Sequence, residues 1–202
     1  MTARILRDDD GGRAEAIDVL RAGGIVAFPT DTVYGIGVSP ATPGGIERLF
    51  HVKQRPPDKG IPLLLGSADQ VLDVGVPTDA SRRLAATFWP GPLTLVLVRL
   101  RRTLELEPTI GVRLPNHPCP RALAAALGPL PTTSANLSGG PDALDAATVA
   151  ATLGDEIDLI LDGGRTAGPV ASTVVDCTVV PPTVLREGVL GSLRIRDALV
   201  AR

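Results

Sequence analysis

Residues 13–37 read RAEAIDVLRAGGIVAFPTDTVYGIG, and the order of features inside this stretch sets the architecture. Ala16, Ile17 and Leu20 fall on one face at helical spacing, and Gly23-Gly24 supplies a stop. Ile25–Phe28 is a short apolar run of buried-strand character. It leads straight into residues 29–37, a segment rich in hydroxyls and punctuated by glycine. Helix, buried strand and polar loop in this order describe an α/β sheet, whose strand ends are where such folds hold ligands.

The same grammar extends outward along the chain. Thr42-Pro43 reads as an N-cap and first helical residue for a helix over about 43–54, with Ile46, Leu49, Phe50 and Lys53 at helical spacing. Ile61–Leu65 reads as a strand, Ser67-Ala68-Asp69-Gln70 as a capping box for a short helix to about Asp73, and 79–88 as a helix after Thr78. Residues 93–99 form an alternating, branched run that reads as a strand, and the charges from Arg99 to Glu107 read as a solvated hairpin tip. Thr109–Leu114 is a further strand, followed by a helix through Leu127. A helix over 145–153 capped by Asp145, strands at 158–162, 172–178 and 184–186, and a terminal helix over 192–200 complete the pattern. The expectation is a single α/β (α+β) domain over residues 1–202, with a core of about 13–190 and a twisted, mixed sheet flanked by helices.

Composition narrows the function. No apolar run approaches the ~20 residues a membrane-spanning helix needs, and residues 1–12 carry Asp8, Asp9 and Asp10 in place of an apolar leader. A cytoplasmic location and free, core-lying thiols at Cys119 and Cys177 are expected. A net charge of −2 and a pI near 5.7 oppose a protein devoted to wrapping nucleic acid. The aromatics are Phe28, Tyr34, Phe50, Phe88 and Trp89, too few and too clustered for a base-stacking platform.

Standard catalytic sets are missing as well. His51, His117 and the two cysteines lack zinc-site spacing, Ser134 lacks a nucleophile elbow, and neither a P-loop nor a dinucleotide fingerprint occurs. No metal ligand set is expected. What remains is a group of cations and small polar side chains on loops and strand ends. Both lysines of the chain, Lys53 and Lys59, flank Arg55 in the proline-stiffened run 53–60, a combination suited to polyphosphate. Arg113 sits inside an apolar strand, where a charge is costly unless paired. It should meet a carboxylate, from the protein or from a ligand.

Seven strings in order, 28–35 (FPTDTVYG), Lys53-x-Arg55-Pro56, 88–94 (FWPGPLT), 112–115 (VRLP), 133–139 (TSANLSG), 171–174 (ASTV) and 185–188 (LREG), resemble the YrdC/Sua5 family across nearly the whole chain. The resemblance implies a YrdC-like sheet with a concave ligand groove. It implies an ATP-dependent nucleotidyltransferase that forms threonylcarbamoyl-AMP and pyrophosphate from L-threonine, bicarbonate/CO2 and ATP for t6A modification of tRNA. A downstream threonylcarbamoyl-transferase complex is the implied partner, and Mg2+ would come with ATP. By the same carry-over, Thr32, Arg113, Ser134 and Ser172 match threonine contacts, and the neighbouring Thr30 joins that set. Arg55, Thr109, Asn136 and Arg186 match the nucleotide side, Lys53 completes the Lys-x-Arg pair so that Lys53 and Arg55 are the catalytic cations, and the neighbouring Lys59 joins them at the ATP phosphates. Lys59 stands where longer members have Asn, Gly66 where they have a threonine-contacting His, and Leu144 where they often have Thr. Rival readings are a double-stranded RNA or ribosome-assembly binder, with direct RNA contact, and a carbamoyl-transfer domain of the hydrogenase-maturation type.

Overall fold

The computed structural model describes residues 2–54, 60–100, 107–168 and 170–200. Its strands are β1 (Arg4–Arg7), β2 (Val26–Phe28), β3 (Gly35–Gly37), β4 (Leu63–Leu64), β5 (Gly75–Val76), β6 (Leu93–Arg99), β7 (Thr109–Arg113), β8 (Leu130–Ser134), β9 (Leu159–Asp162), β10 (Thr173–Asp176) and β11 (Thr183–Arg186). Helices are α1 (Asp10–Arg21), α2 (Gly45–Val52), α3 (Val71–Val74), α4 (Asp79–Phe88), α5 (Pro118–Leu127), α6 (Ala146–Leu153) and α7 (Ser192–Val200). All eleven strands join one mixed sheet in the order β1-β9-β2-β3-β8-β4-β7-β6-β10-β11, with β5 on the edge of β6.

Strand periodicity decides what faces each side. In β2 and β9, Val26, Phe28, Leu159 and Leu161 pack against α1 and α5, through Ala16, Leu20, Cys119, Leu123 and Ala124. Ala27 and Ile160 point the other way, into a cluster with Leu49 and Val52 of α2 and Val149 and Leu153 of α6. The far half differs. Leu93, Leu95 and Leu97 of β6, Ile110 and Val112 of β7 and Val175 of β10 pack with Leu84 of α4 and Ile195 of α7. The intervening residues of these strands, Thr94, Gly111 and Arg113, present the opposite face. Register confirms the sharing: Val96 pairs with Gly111 across β6 and β7, and Thr94 with Val174 across β6 and β10.

Several expectations need correction. The helical pattern read over residues 13–22 is α1, which begins at Asp10 because Asp9 caps it, accepting from Gly12 N at 2.9 Å, while Asp8 pairs with Arg13. Helix α2 does not start on Thr42-Pro43. Thr42 closes a turn, accepting from Gly45 N, and Gly44 at φ 69° provides the left-handed entry. The Ser67 capping box does not form; Gln70 instead accepts from Gly66 N at 2.7 Å and donates to Ala124 O at 3.0 Å. By contrast, Thr78 and Ser81 make a reciprocal capping box at α4, and Asp145 caps α6. Strands β1, β3, β5 and β8 are additions to the sequence reading. Cys119 and Cys177 are buried and free. Residues 101–106, most of the expected hairpin tip, lie outside the described residues.

Candidate functional site

Where β6, β7, β8, β10 and the 29–34 loop converge, the uncovered face of the far half-sheet closes into a cavity of about 180 Å3. That is below the ~300–1,000 Å3 of drug-sized sites and suits a small polar molecule. Thr30, Thr32, Arg113, Ser134, Ser172 and Arg186 all line it. A larger depression of about 710 Å3, bounded by residues of α2 and α6, contains none of these side chains.

Arg113 organises the cavity. It is 6% exposed, and the strand register aims it at the groove. Nε donates to Gly91 O at 3.1 Å, Nη1 to Thr32 Oγ1 at 3.1 Å, and Nη2 to the Asp31 carboxylate. The required carboxylate is therefore Asp31, also largely buried. Burial lowers the Arg113 pKa, Asp31 opposes that, and the nearby positive charge of Arg186 reinforces it. With Asp31 on Arg113 and Asp142 in the lining, two guanidiniums face two carboxylates, an arrangement suited to a ligand that carries both charges.

Small hydroxyls are fixed around this charge. Thr30 Oγ1 donates to Val33 O at 2.7 Å and accepts from Thr32 N, so it stiffens the loop that presents Thr32. Ser172 Oγ lies 2.8 Å from Thr94 Oγ1. Arg186, exposed at the end of β11, donates from Nε and Nη2 to Ser172 O at 3.2 and 2.8 Å. Ser134 ends β8 opposite Gly35 of β3, and its hydroxyl donates to Asn136 Oδ1 at 2.6 Å. Tyr34, which also lines the cavity, donates to Gly164 O at 2.8 Å, and burial pushes its pKa up to about 12.

Not every candidate meets there. Thr109 lines a neighbouring depression of about 530 Å3 with Phe50, Gly60 and Arg99. Asn136 lies beneath Ser134, 8% exposed. Lys53 is placed as the C-cap of α2 at 1% exposure, its ammonium turned into the 134–136 loop. Arg55 and Lys59 lie outside the described residues. At Gly66, an added Cβ would stand 2.7 Å from Ala125 N and 2.9 Å from Arg121 O of α5, so no side chain fits without moving that helix. Leu144 takes part through its backbone, accepting from Thr166 N at 2.8 Å.

Sequence reasoning passed over Asp31, Thr94 and Asp142 as site residues, though all three are near or in the cavity. Thr94 carried a signal: a lone hydroxyl on the otherwise apolar strand 93–98. Asp142 carried none.

The fold and the cavity together define an α/β protein with a small polar groove lined by guanidiniums, a carboxylate and hydroxyls. Residues 18–188 match the Sua5/YciO/YrdC family model, described as telomere recombination. The chain belongs to this family. A threonylcarbamoyl-AMP synthase of Chromohalobacter salexigens is 40% identical over 169 residues, covering 81% of this chain and 91% of that protein. The structure of Pyrococcus abyssi Sua5 complexed with L-threonine superposes with a TM-score of 0.89 at 34% identity, covering 98% of this chain. This chain spans only 60% of that longer protein. Escherichia coli YciO gives 0.82 at 27% identity, covering 96% and 97% of the two chains.

Proposed function

We propose that the protein is a threonylcarbamoyl-AMP synthase, joining L-threonine, CO2 from bicarbonate and ATP into threonylcarbamoyl-AMP with release of pyrophosphate. The observation that carries this reading is the convergence of a buried guanidinium, Arg113, with Thr32, Ser134 and Ser172 in an amino-acid-sized cavity. The threonine-bound relative of the same fold and the relatives named for this activity support it.

The substrate carboxylate would take the place of Asp31 on Arg113, and the displaced Asp31 carboxylate would then take the substrate's ammonium as its partner. Ser134 and Ser172 would hold the amino and hydroxyl groups. The free amine of threonine attacks CO2 and loses a proton to give the carbamate. A carbamate oxygen then attacks the α-phosphorus, and the bond to the bridging oxygen of pyrophosphate breaks. No protein nucleophile is required. The chain supplies proximity, which can be worth about 7–11 kcal/mol, and cations that stabilise the developing phosphate charge. Arg186 would serve the phosphates with Arg55 and Lys59, and Thr109 would serve the nucleoside, with Asn136 acting from beneath Ser134. Mg2+ would travel with ATP, neutralising its phosphates. The product would pass to a threonylcarbamoyl-transferase acting on tRNA in the cytoplasm.

The test is an incubation with ATP, Mg2+, bicarbonate and each amino acid in turn, following pyrophosphate. Release that depends on both threonine and bicarbonate is the expected outcome. Release that is indifferent to either one refutes the assignment.

A further inference from the structure

We infer that Lys53 is a positioning residue for the amino-acid end of the groove, acting through Ser134 and Asn136, and does not itself contact the nucleotide phosphates. This rests on the reading of Ser134 as part of a threonine site.

A lysine closing an amphipathic helix would ordinarily extend its ammonium into water. Here Leu49 and Val52 turn the inner face of α2 into the core, and Lys53 follows them to 1% exposure. A buried ammonium is costly unless every proton is taken. Nζ donates to Ser134 O, to Asn136 O at 2.7 Å and to Asn136 Oδ1 at 2.8 Å. Those three acceptors match the three protons of an ammonium. Ser134 Oγ is a fourth, longer neighbour at 3.4 Å. The backbone of Lys53 also takes part, since its carbonyl accepts from Ser138 N at 2.9 Å. Lys53 therefore brackets the 134–138 turn from both sides.

The consequence falls on Ser134. Asn136 Oδ1 accepts from both Lys53 Nζ and Ser134 Oγ, and Asn136 Nδ2 is committed to Gly140 O at 2.7 Å. The Ser134 proton is thereby directed away from the cavity, leaving an oxygen lone pair facing it. Ser134 lines the cavity and Lys53 does not. A Ser134 oriented in this way recognises a donor, such as an ammonium or hydroxyl of an amino acid. Three acceptors converging on one point also explain lysine here, because a flat guanidinium distributes its protons over a fork.

The experiment is a threonine titration by calorimetry without nucleotide, on the parent protein, Lys53→Met, Ser134→Ala, Ser172→Ala and the doubles of Lys53→Met with each serine variant. Lys53→Met should weaken threonine binding by about tenfold or more. Its loss should not multiply with that of Ser134→Ala, whereas it should multiply with that of Ser172→Ala, which belongs to another strand. A mere collapse of the groove would make both doubles non-additive and would overturn the proposal. So would threonine binding by Lys53→Met at parental strength. If the parent protein binds no threonine, the functional reading itself fails, and this role fails with it.

Should Lys53→Met not fold, the parent protein decides the matter by nitrogen-detected spectroscopy of its ammonium groups. The chain has only two lysines, so Lys59→Arg assigns the Lys53 signal. A shift on adding threonine but not pyrophosphate supports the proposal; a shift with pyrophosphate alone overturns it.

Discussion

The two halves of the sheet solve different problems with the same strand geometry. Strands β2 and β9 have helices on both faces: Val26 and Leu159 meet α1 and α5, while Ala27 and Ile160 meet α2 and α6. In the half containing β6, β7 and β10, α4 and α7 cover one face through Leu95, Val112 and Val175. The other face keeps Thr94, Arg113 and Ser172 for the cavity. A strand covered on both faces must be apolar throughout, and one covered on a single face can alternate. The site occurs where the second helical layer is missing, so polar groups there hold each other in place of a hydrophobic cover.

That contrast breaks most sharply at Arg113. Arg113→Met should cost about 3–5 kcal/mol in urea unfolding, because it leaves the Asp31 carboxylate buried and unpaired. Removing both charges, in an Asp31→Asn, Arg113→Met double variant, should recover much of that stability. Threonine-dependent pyrophosphate release should stay absent in both. A double variant as unstable as the single one would show that the groove face is held by something other than this charge pair. Next in size is Gly66→His, which introduces the side chain that the family resemblance implies for this position in longer members. With α5 backbone atoms 2.7 and 2.9 Å from the new Cβ, overpacking should cost about 1–3 kcal/mol. Threonine affinity should not improve, because the clash lies on the α5 side.

Much of this architecture was readable because short runs such as 93–99, with β-branched residues and a turn signal before them, fit a buried strand better than a helix. Strand β3 was not. Its Gly35-Ile36-Gly37 reads as a turn, yet the glycines are there because a Cβ at Gly37 would come within 3.1 Å of Phe28 Cε1, and one at Gly35 within 3.0 Å of Thr132 Cγ2. Strand β8 was read as a loop because Pro131 and three hydroxyls obscure it, although Pro131 pairs with Leu63. Within the site, the demand of Arg113 for a carboxylate was legible from burial of a charge in a strand. Its partner was not, since Asp31 lies 82 positions away and only the folded sheet brings them together. Lys53 stood out by composition, but its inward turn depends on how α2 packs, which periodicity does not fix.

The smaller effects test the helices that cover the first half. His117 caps α5, its Nδ1 accepting from Cys119 N at 3.2 Å, and burial lowers its pKa. Between the folded value and the unfolded value of about 6.5, the unfolded chain binds more protons. The stability from neutral His117 is thus complete above that range and declines as pH falls through it, because a proton on Nδ1 removes the cap. Replacing His117 with Asn, a cap that does not titrate, should flatten this part of the pH–stability curve while changing stability at pH 8 by about 1 kcal/mol or less. An unchanged acid slope would assign it to other groups.

Thr94→Val is the finest probe, because it keeps shape and removes one hydroxyl from the uncovered face. Ser172 Oγ then loses its 2.8 Å partner, while the apolar side of β6 against α4 is untouched. The expected loss is about 1 kcal/mol, read as a several-fold rise in the KM for threonine with kcat nearly constant, since Ser172 would hold the amino acid and not the phosphates. Equal losses in kcat and kcat/KM would move this hydroxyl pair from substrate binding to the reacting centre. An effect on stability alone would mean that the pair serves the sheet, and that the difference between the two faces is structural at this position.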